Sequence, residues 1–341
     1  MLIPTHGRPD KIAACVRALA AQRTEGAFEV LVGIDGEDAP LRDAIARAWG
    51  DAGGRDERLR ISMAPHAGPA MVRNRLLAIA RGTWLLLLND DVIPQPGLLE
   101  AHRVAQASRT SPAMILGAAP WVVRANDSMF DRLVRETSMI FFYDQMTGAA
   151  AADPEHDWGF RHAWTLNLSM PSALLREAGG FTGSLSRPVF EDLEMAYRVH
   201  ARSGARVLYR PGAVVLHDHA MTPGEYLRRE YTLGHAAVEL ARACPDCARA
   251  VFGRDLAGDD EAAYSREYVA REKRAAAGLL PGLVALAEMP AHAADGAHAR
   301  AWVRMAYQSH LPLKRWLWRR GLLDAHARTA ADAARALGEL A

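Results

Sequence analysis

The stretch Trp84-Leu85-Leu86-Leu87-Leu88-Asn89-Asp90-Asp91 decides how this chain of 341 residues folds. An apolar run ends abruptly on a polar, acidic triplet. Gly82 precedes the run and Pro94 follows it, and its shortness and flanks argue for a buried strand rather than a helix. A second run of the same kind lies upstream, where Glu29-Val30-Leu31-Val32-Gly33-Ile34 ends on Asp35-Gly36. Helical stretches surround the two runs, from Asp10 to Gln22, Leu41 to Trp49 and Ala70 to Ala80. Strands separated by helices predict an α/β fold with a mostly parallel sheet and helices on its faces. Ligands of such sheets bind beyond the carboxyl ends of the strands, and both acidic clusters fall there.

Working outward, Leu98 to Ala107 reads as a helix. Met114 to Val123 reads as a strand interrupted by Gly117 and Pro120, and 144–161 as loop. Trp164 to Met170 alternates as a strand, and Leu174 to Ala178 begins a helix that stops at Gly179-Gly180. Glu191 to Ser203 is helical, with Gly204 placed to end it in a left-handed turn. Ala205 to Tyr209 and Ala213 to Leu216 read as two short strands around Pro211-Gly212. From Pro223 onward the pattern is helical and rich in Ala and Arg. The shift in composition predicts two regions, 1–220 and 221–341.

Half of the residues are hydrophobic and 24% are charged, which excludes a largely disordered chain. The formal net charge of +1 excludes a nucleic-acid binder that works through global charge. Lysine occurs only at Lys11, Lys273 and Lys314, so nearly all of the 41 cations are Arg, a bias of composition rather than of chemistry. Cys15, Cys244 and Cys247 are too few for a disulfide framework. Cys244-Pro-Asp-Cys247 has zinc-ligand spacing, but no second pair follows, and the two read as ordinary thiols. The N-terminus lacks the basic start and long apolar core of a signal peptide, and no apolar run approaches the about 20 residues of a membrane span. These features predict a cytoplasmic protein. Lys314-Arg315-Trp316-Leu317-Trp318-Arg319-Arg320 reads either as a membrane-interface contact of the C-terminal helices or as a packed helix with a basic exposed side.

Three polar clusters carry chemistry. Asn89-Asp90-Asp91 after a strand suits a divalent cation that bridges phosphates, and equally suits an ordinary turn. Glu191-Asp192 opens a helix, where acids are also favoured by the dipole alone. His217-Asp218-His219 follows an apolar strand, and histidines at i and i+2 of a strand point the same way, toward one metal or toward solvent.

Taken in order, Asp35-Gly36, Gly68 with Arg73-Asn74, Asn89-Asp90-Asp91, Gly179-Gly180-Phe181, Glu191-Asp192 and His217 resemble the family 2 glycosyltransferases of GT-A fold. The resemblance runs from Ile3-Pro4-Thr5 to about Gly234, and it implies a Rossmann-like sheet followed here by a helical region. It implies that Pro4, Thr5 and Arg8 line a nucleotide pocket, that Asp35 reads the base, and that Gly68, Arg73, Asn89 and Asp90 hold the nucleotide sugar. Asp91 and His217, or less readily His219, would hold Mn²⁺ or Mg²⁺. Asp192 would be the catalytic base, with Glu191 orienting it, and Trp164, Asn167 and Gly180 would wall the acceptor side. The Thr182–Phe190 segment, with Gly183, Ser184 and Ser186, would close over bound donor. The family carries a longer first strand than Met1-Leu2-Ile3 offers, so either the first strand is very short or the start is misplaced.

The implied reaction is metal-dependent, inverting transfer from a nucleotide-diphosphate sugar. A UDP-sugar comes first, with dTDP- and GDP-sugars open. The acceptor is left open among a glycan, a lipid-linked sugar, a protein or a small molecule, with polysaccharide biosynthesis one setting. One base and one cation suffice for a single in-line displacement. Two other readings compete: a nucleotidyltransferase on a related sheet, which would want a glycine-rich loop near the N-terminus, and a non-catalytic nucleotide-sugar-binding module, which would lack a metal or base residue.

Overall fold

The computed structural model describes every residue except Ser186 and Ala297, so Ser186 of the expected 182–190 loop lies outside the described residues. Among the described residues, eight strands form one sheet: β1 (Leu2–Thr5), β2 (Val30–Asp35), β3 (Leu59–Ala64), β4 (Trp84–Leu88), β5 (Val92–Pro94), β6 (Ala113–Ala118), β7 (Asn167–Pro171) and β8 (Arg206–His217). Their order is β3-β2-β1-β4-β7-β6-β8-β5. The first four run parallel, β7 is antiparallel to both β4 and β6, β8 is parallel to β6, and β5 is antiparallel to β8. The helices are α1 (Pro9–Ala20), α2 (Ala39–Asp51), α3 (Pro69–Ile79), α4 (Leu98–Ala107), α5 (Met129–Glu136), α6 (Gly148–Ala152), α7 (Ser172–Glu177), α8 (Glu191–Ser203), α9 (Pro223–Ala243), α10 (Pro245–Phe252), α11 (Asp259–Ala285), α12 (Ala299–His326) and α13 (Ala333–Gly338). The chain packs as two units. One takes Met1–Val122, Thr147–Ser184 and Glu191–His219; the other takes Val123–Met146, Leu185–Phe190 and Ala220–Ala341.

The sheet unit follows from its sequence. All residues of β1 and β2 are buried, as expected of strands covered on both faces. Each of α1, α2 and α3 carries Pro in its first two positions, where a missing N–H costs nothing and φ is already helical. Gly33 of β2 is required by packing: a Cβ there would stand 2.3 Å from Val72 Cγ1 of α3. That close approach fixes where α3 delivers the next residues, Arg73 and Asn74.

Several elements differ from the sequence reading, among them α6 (Gly148–Ala152), which lies within the stretch 144–161 read as loop. The two short strands expected around Pro211-Gly212 are one strand, β8, whose register against β6 shifts at Gly117/Ala118. A bulge absorbs the proline, whose missing N–H is tolerated at such a point. β6 ends at Ala118, and Trp121 beyond it forms a single bridge with His217. Strand β3 is unannounced because it is half-buried along its length at the sheet edge and shows no clean alternation.

The helical unit is held by close contacts of its own. At the crossing of α9 and α12, a Cβ on Gly234 would stand 1.8 Å from Trp318 O, and one on Gly321 would stand 2.0 Å from Tyr231 O. Trp316 is fully buried and donates its indole N–H to Val269 O at 2.9 Å, and Leu317 is also fully buried. The middle of the Lys314–Arg320 stretch is therefore core. Tyr231 donates to Asp324 at 2.6 Å, and Arg320 and Arg335 pair with the same carboxylate. Helix α5 joins this unit: Met129 N and Phe130 N donate to Met289 O and Leu286 O, and the Phe130 ring meets Tyr226 edge-on. Among the described residues, no helix is long and apolar enough to cross a membrane.

Candidate active site

The site lies within the sheet unit, at the carboxyl ends of β1, β2 and β4. Thr5 ends β1, and its hydroxyl donates to Asp90 Oδ2 at 2.7 Å. Arg8, at the start of α1, spans the two acids: it pairs with both Asp90 oxygens and donates to Asp91 Oδ2 at 2.9 Å. Asp90 is 1% exposed. Burial raises its pKa, against the lowering effect of Arg8 and Thr5. Thr5 and Pro4 are buried as well, so both build the floor of the site rather than a ligand-facing wall.

The antiparallel pairing of β5 with β8 sets Val92 opposite His217, which carries that histidine to the residue beside Asp91. His217 Nε2 lies 3.8 Å from Asp91 Oδ1, and His219 Nδ1 lies 3.4 Å from Asp91 Oδ2. The two imidazoles are nearly parallel, 12° apart with centres at 5.6 Å, and Trp121 covers His217 at 4.2 Å. Asp218 faces away from Asp91 as a side chain, pairing with Lys11 at 2.6 Å, while its N–H donates to Asp91 O. Burial disfavours ionisation of Asp91, but the nearby imidazoles of His217 and His219 and the charge of Arg8 outweigh it and hold the carboxyl well below its usual range. Asp91 Oδ1 is buried and takes no hydrogen bond. An orphaned carboxylate oxygen beside two imidazoles is a donor set that fits a divalent ion.

Arg73 joins this end of the site to the second acidic cluster. It is 3% exposed, donates to Asn89 Oδ1 at 2.9 Å, and stands 3.6 Å from Glu191 Oε1. The charges of Glu191, Asp192 and Asp90 all act on it. Its guanidinium sits 5.4 Å from the centre of the Phe181 ring, and Asn74 fixes Phe181 by exchanging two 2.8 Å hydrogen bonds with its backbone. Arg73, expected near the nucleotide, is buried at the base of the site. There it contacts both Asn89 and Glu191. Glu191 is buried, and burial first, then the charge of Asp192, push its pKa up to about 7 against the pull of Arg73. Asp192 is the more accessible of the pair, in the first turn of α8.

Asp35 is buried at the end of β2, and its two oxygens accept the N–H groups of Ala67 and Gly68 at 2.7 and 2.9 Å. Gly68 has φ of +84°, a conformation that turns the chain so that both N–H groups point at one carboxylate. His6 and His66, which the motif order does not single out, flank Asp35. Their signal in the sequence is only that each lies in the loop after a strand.

The expected acceptor residues fare differently. Asn167 is fully buried. Its amide donates to Ala118 O and Ala213 O, and its oxygen lies 2.9 Å from His102 Nε2, so it braces three strands. Gly180 is buried with φ of +73°, and a Cβ there would meet Asn74 Oδ1 at 2.5 Å, so it serves the Asn74–Phe181 clamp. Trp164 is 8% exposed and packs against His162 at 5.4 Å.

Residues 1–151 match the sequence profile described as "Glycosyl transferase family 2". Residues 1–151 belong to glycosyltransferase family 2. Among curated relatives, the pre-mycofactocin glycosyltransferase of Mycobacterium tuberculosis is 29% identical over 194 residues, covering 53% of the chain and 37% of that protein. The validoxylamine A glucosyltransferase of Streptomyces hygroscopicus subsp. limoneus is 26% identical over 221 residues, covering 59% and 47%. The chain thus spans about half or less of the length of the curated relatives it matches. Among solved structures, the mannosyltransferase PcManGT of Pyrobaculum calidifontis, in complex with GDP-Man and Mn²⁺, superposes with a TM-score of 0.53 at 17% identity. The match covers 96% of this chain and 85% of that one. The fold is of GT-A type.

Proposed function

We propose that this family 2 chain is a metal-dependent, inverting glycosyltransferase that moves a sugar from a nucleotide-diphosphate donor, a UDP-sugar in the first reading, to an acceptor hydroxyl. The observation that carries the reading is Asp91 with an orphaned oxygen beside His217 and His219, joined through buried Arg73 to Glu191 and Asp192. Asp91, His217 and His219 would hold Mn²⁺ or Mg²⁺, which supplies charge neutralisation at the departing diphosphate. The mannosyltransferase of similar fold was solved with GDP-Man and Mn²⁺, in keeping with this reading.

The remaining work falls to the chain's own residues. Asp35, its lone pairs oriented by two backbone N–H groups, is placed to accept an imide N–H from the base. Arg8 balances part of the charge of Asp90 and Asp91. Asp192 accepts the proton of the acceptor hydroxyl as its oxygen bonds to the anomeric carbon and the bond from that carbon to the diphosphate breaks. One displacement inverts the anomeric centre. Glu191, held toward its neutral form, leaves the charge of the pair on Asp192.

Calorimetry with UDP and Mn²⁺ tests the metal site. Asp91→Ala is expected to abolish metal-dependent nucleotide binding, and retention of that binding by the variant would place the metal elsewhere. A panel of UDP-, dTDP- and GDP-sugars, scored by donor hydrolysis, tests the donor.

A further inference from the structure

Asp35 stands between two exposed imidazoles. His66 Nδ1 lies 2.9 Å from Asp35 Oδ2, His6 Nδ1 lies 2.6 Å from the carbonyl oxygen of Asp35, and the two rings are centred 5.0 Å apart. One ligating atom from each of the three residues falls within 4.8 Å of the others. We propose that His6, Asp35 and His66 form a second cation site, distinct from the Asp91 group and suited to Zn²⁺.

Three features argue for it. Two ligands at about 2.0–2.2 Å from a tetrahedral ion stand about 3.4 Å apart, and the Asp35–His66 pair, at 2.9 Å, reaches that edge by opening about 0.5 Å. The carboxylate is oriented from behind by Ala67 and Gly68, and the Nδ1–H of His6 donates to a backbone carbonyl, which is how metal-binding carboxylates and imidazoles are fixed by their outer partners. Two imidazoles and one carboxylate suit zinc, whereas an all-oxygen ligand set would suit magnesium. The three groups come from the ends of three strands that the parallel order of β1, β2 and β3 brings together at one end of the sheet. An ion seated here takes up the Asp35 carboxylate. That consequence rests on the proposed function, in which the same oxygens accept the base N–H, and it makes zinc and nucleoside mutually exclusive.

The test uses the full chain carrying Asp91→Ala, which removes the other cluster, together with Cys244→Ser and Cys247→Ser, which remove the paired thiols and leave the buried Cys15. Zinc alone is titrated by calorimetry, and Co²⁺ is followed by visible absorption. One bound ion is expected, with affinity weakened at least about tenfold by His66→Ala or by His6→Ala. Both histidines are exposed, so equal thermal midpoints of the variants check that folding is intact. No bound ion in the background chain, or unchanged affinity in either histidine variant, would overturn the site. Uridine, which carries no phosphate to chelate zinc, is expected to weaken zinc binding. Zinc affinity unaltered by saturating uridine would overturn Asp35 as the base acceptor and leave the zinc site standing.

Discussion

Arg73 shows what a single residue does that its position in a motif does not reveal. The resemblance places it near the nucleotide, but the fold sinks it beneath the surface and uses its charge to hold Asn89 and Glu191. The acids themselves were legible: Asp90, Asp91, Glu191 and Asp192 were found because they end strands or open a helix. Their division of labour was not, since it depends on which is buried. Replacing Asp192 by Asn is expected to lower transfer by about 10²- to 10⁴-fold while sparing nucleotide binding, measured by product formation alongside calorimetry. Full transfer by that variant would place the base elsewhere. Glu191 makes a pH prediction. Its folded pKa, near 7, lies above the unfolded value of about 4.3, so the native state binds the extra proton. Stability is therefore full below about pH 4, falls as pH rises toward 7, and is level above, a loss of up to about 3 kcal/mol. Glu191→Gln should melt higher than the parent at pH 8 and alike at pH 4; equal midpoints at both would contradict the shift.

At the scale of elements, the site exists because β5 and β8 pair antiparallel beside β4. The sequence shows each apolar run, but no run states its neighbour, and the pairing that sets His217 next to Asp91 is a long-range contact. Strand β8 is the instructive miss. A proline-glycine pair reads as a break, yet a bulge carries one strand through it because β6 supplies partners on both sides of the shift. Asn167 ties β6, β7 and β8 together from the inside. Asn167→Ala would leave Ala118 O and Ala213 O buried without donors, and is expected to cost about 2–4 kcal/mol in urea unfolding. A loss under 0.5 kcal/mol would show that water replaces the amide. Helix α5 escaped the apolar pattern, although Ser128 and Asp131 form a capping box that marks its start.

At the scale of the whole molecule, the composition break near residue 220 tells only part of the organisation. The helical unit also draws in 123–146 and 185–190. Phe130, Met129 and Leu133 of α5 are buried within that unit, against partners such as Tyr226, Leu286 and Met289. A fragment ending at His219 strips those partners away, so it is expected to be insoluble or to bind a hydrophobic dye strongly. A soluble fragment with a sharp melting transition would contradict this. The near-zero net charge fits a molecule whose acids are matched locally by arginines, as Arg8 matches Asp90 and Asp91. By itself the sequence determined the α/β class, the strand-end acids and the family, because these depend on local periodicity and on residues set at fixed spacing. Only the tertiary structure decided that Asn167 and Arg73 face inward, that His6 and His66 flank Asp35, and that β8 is one strand. Burial and proximity are set by contacts between residues far apart in the chain, and no local pattern encodes them.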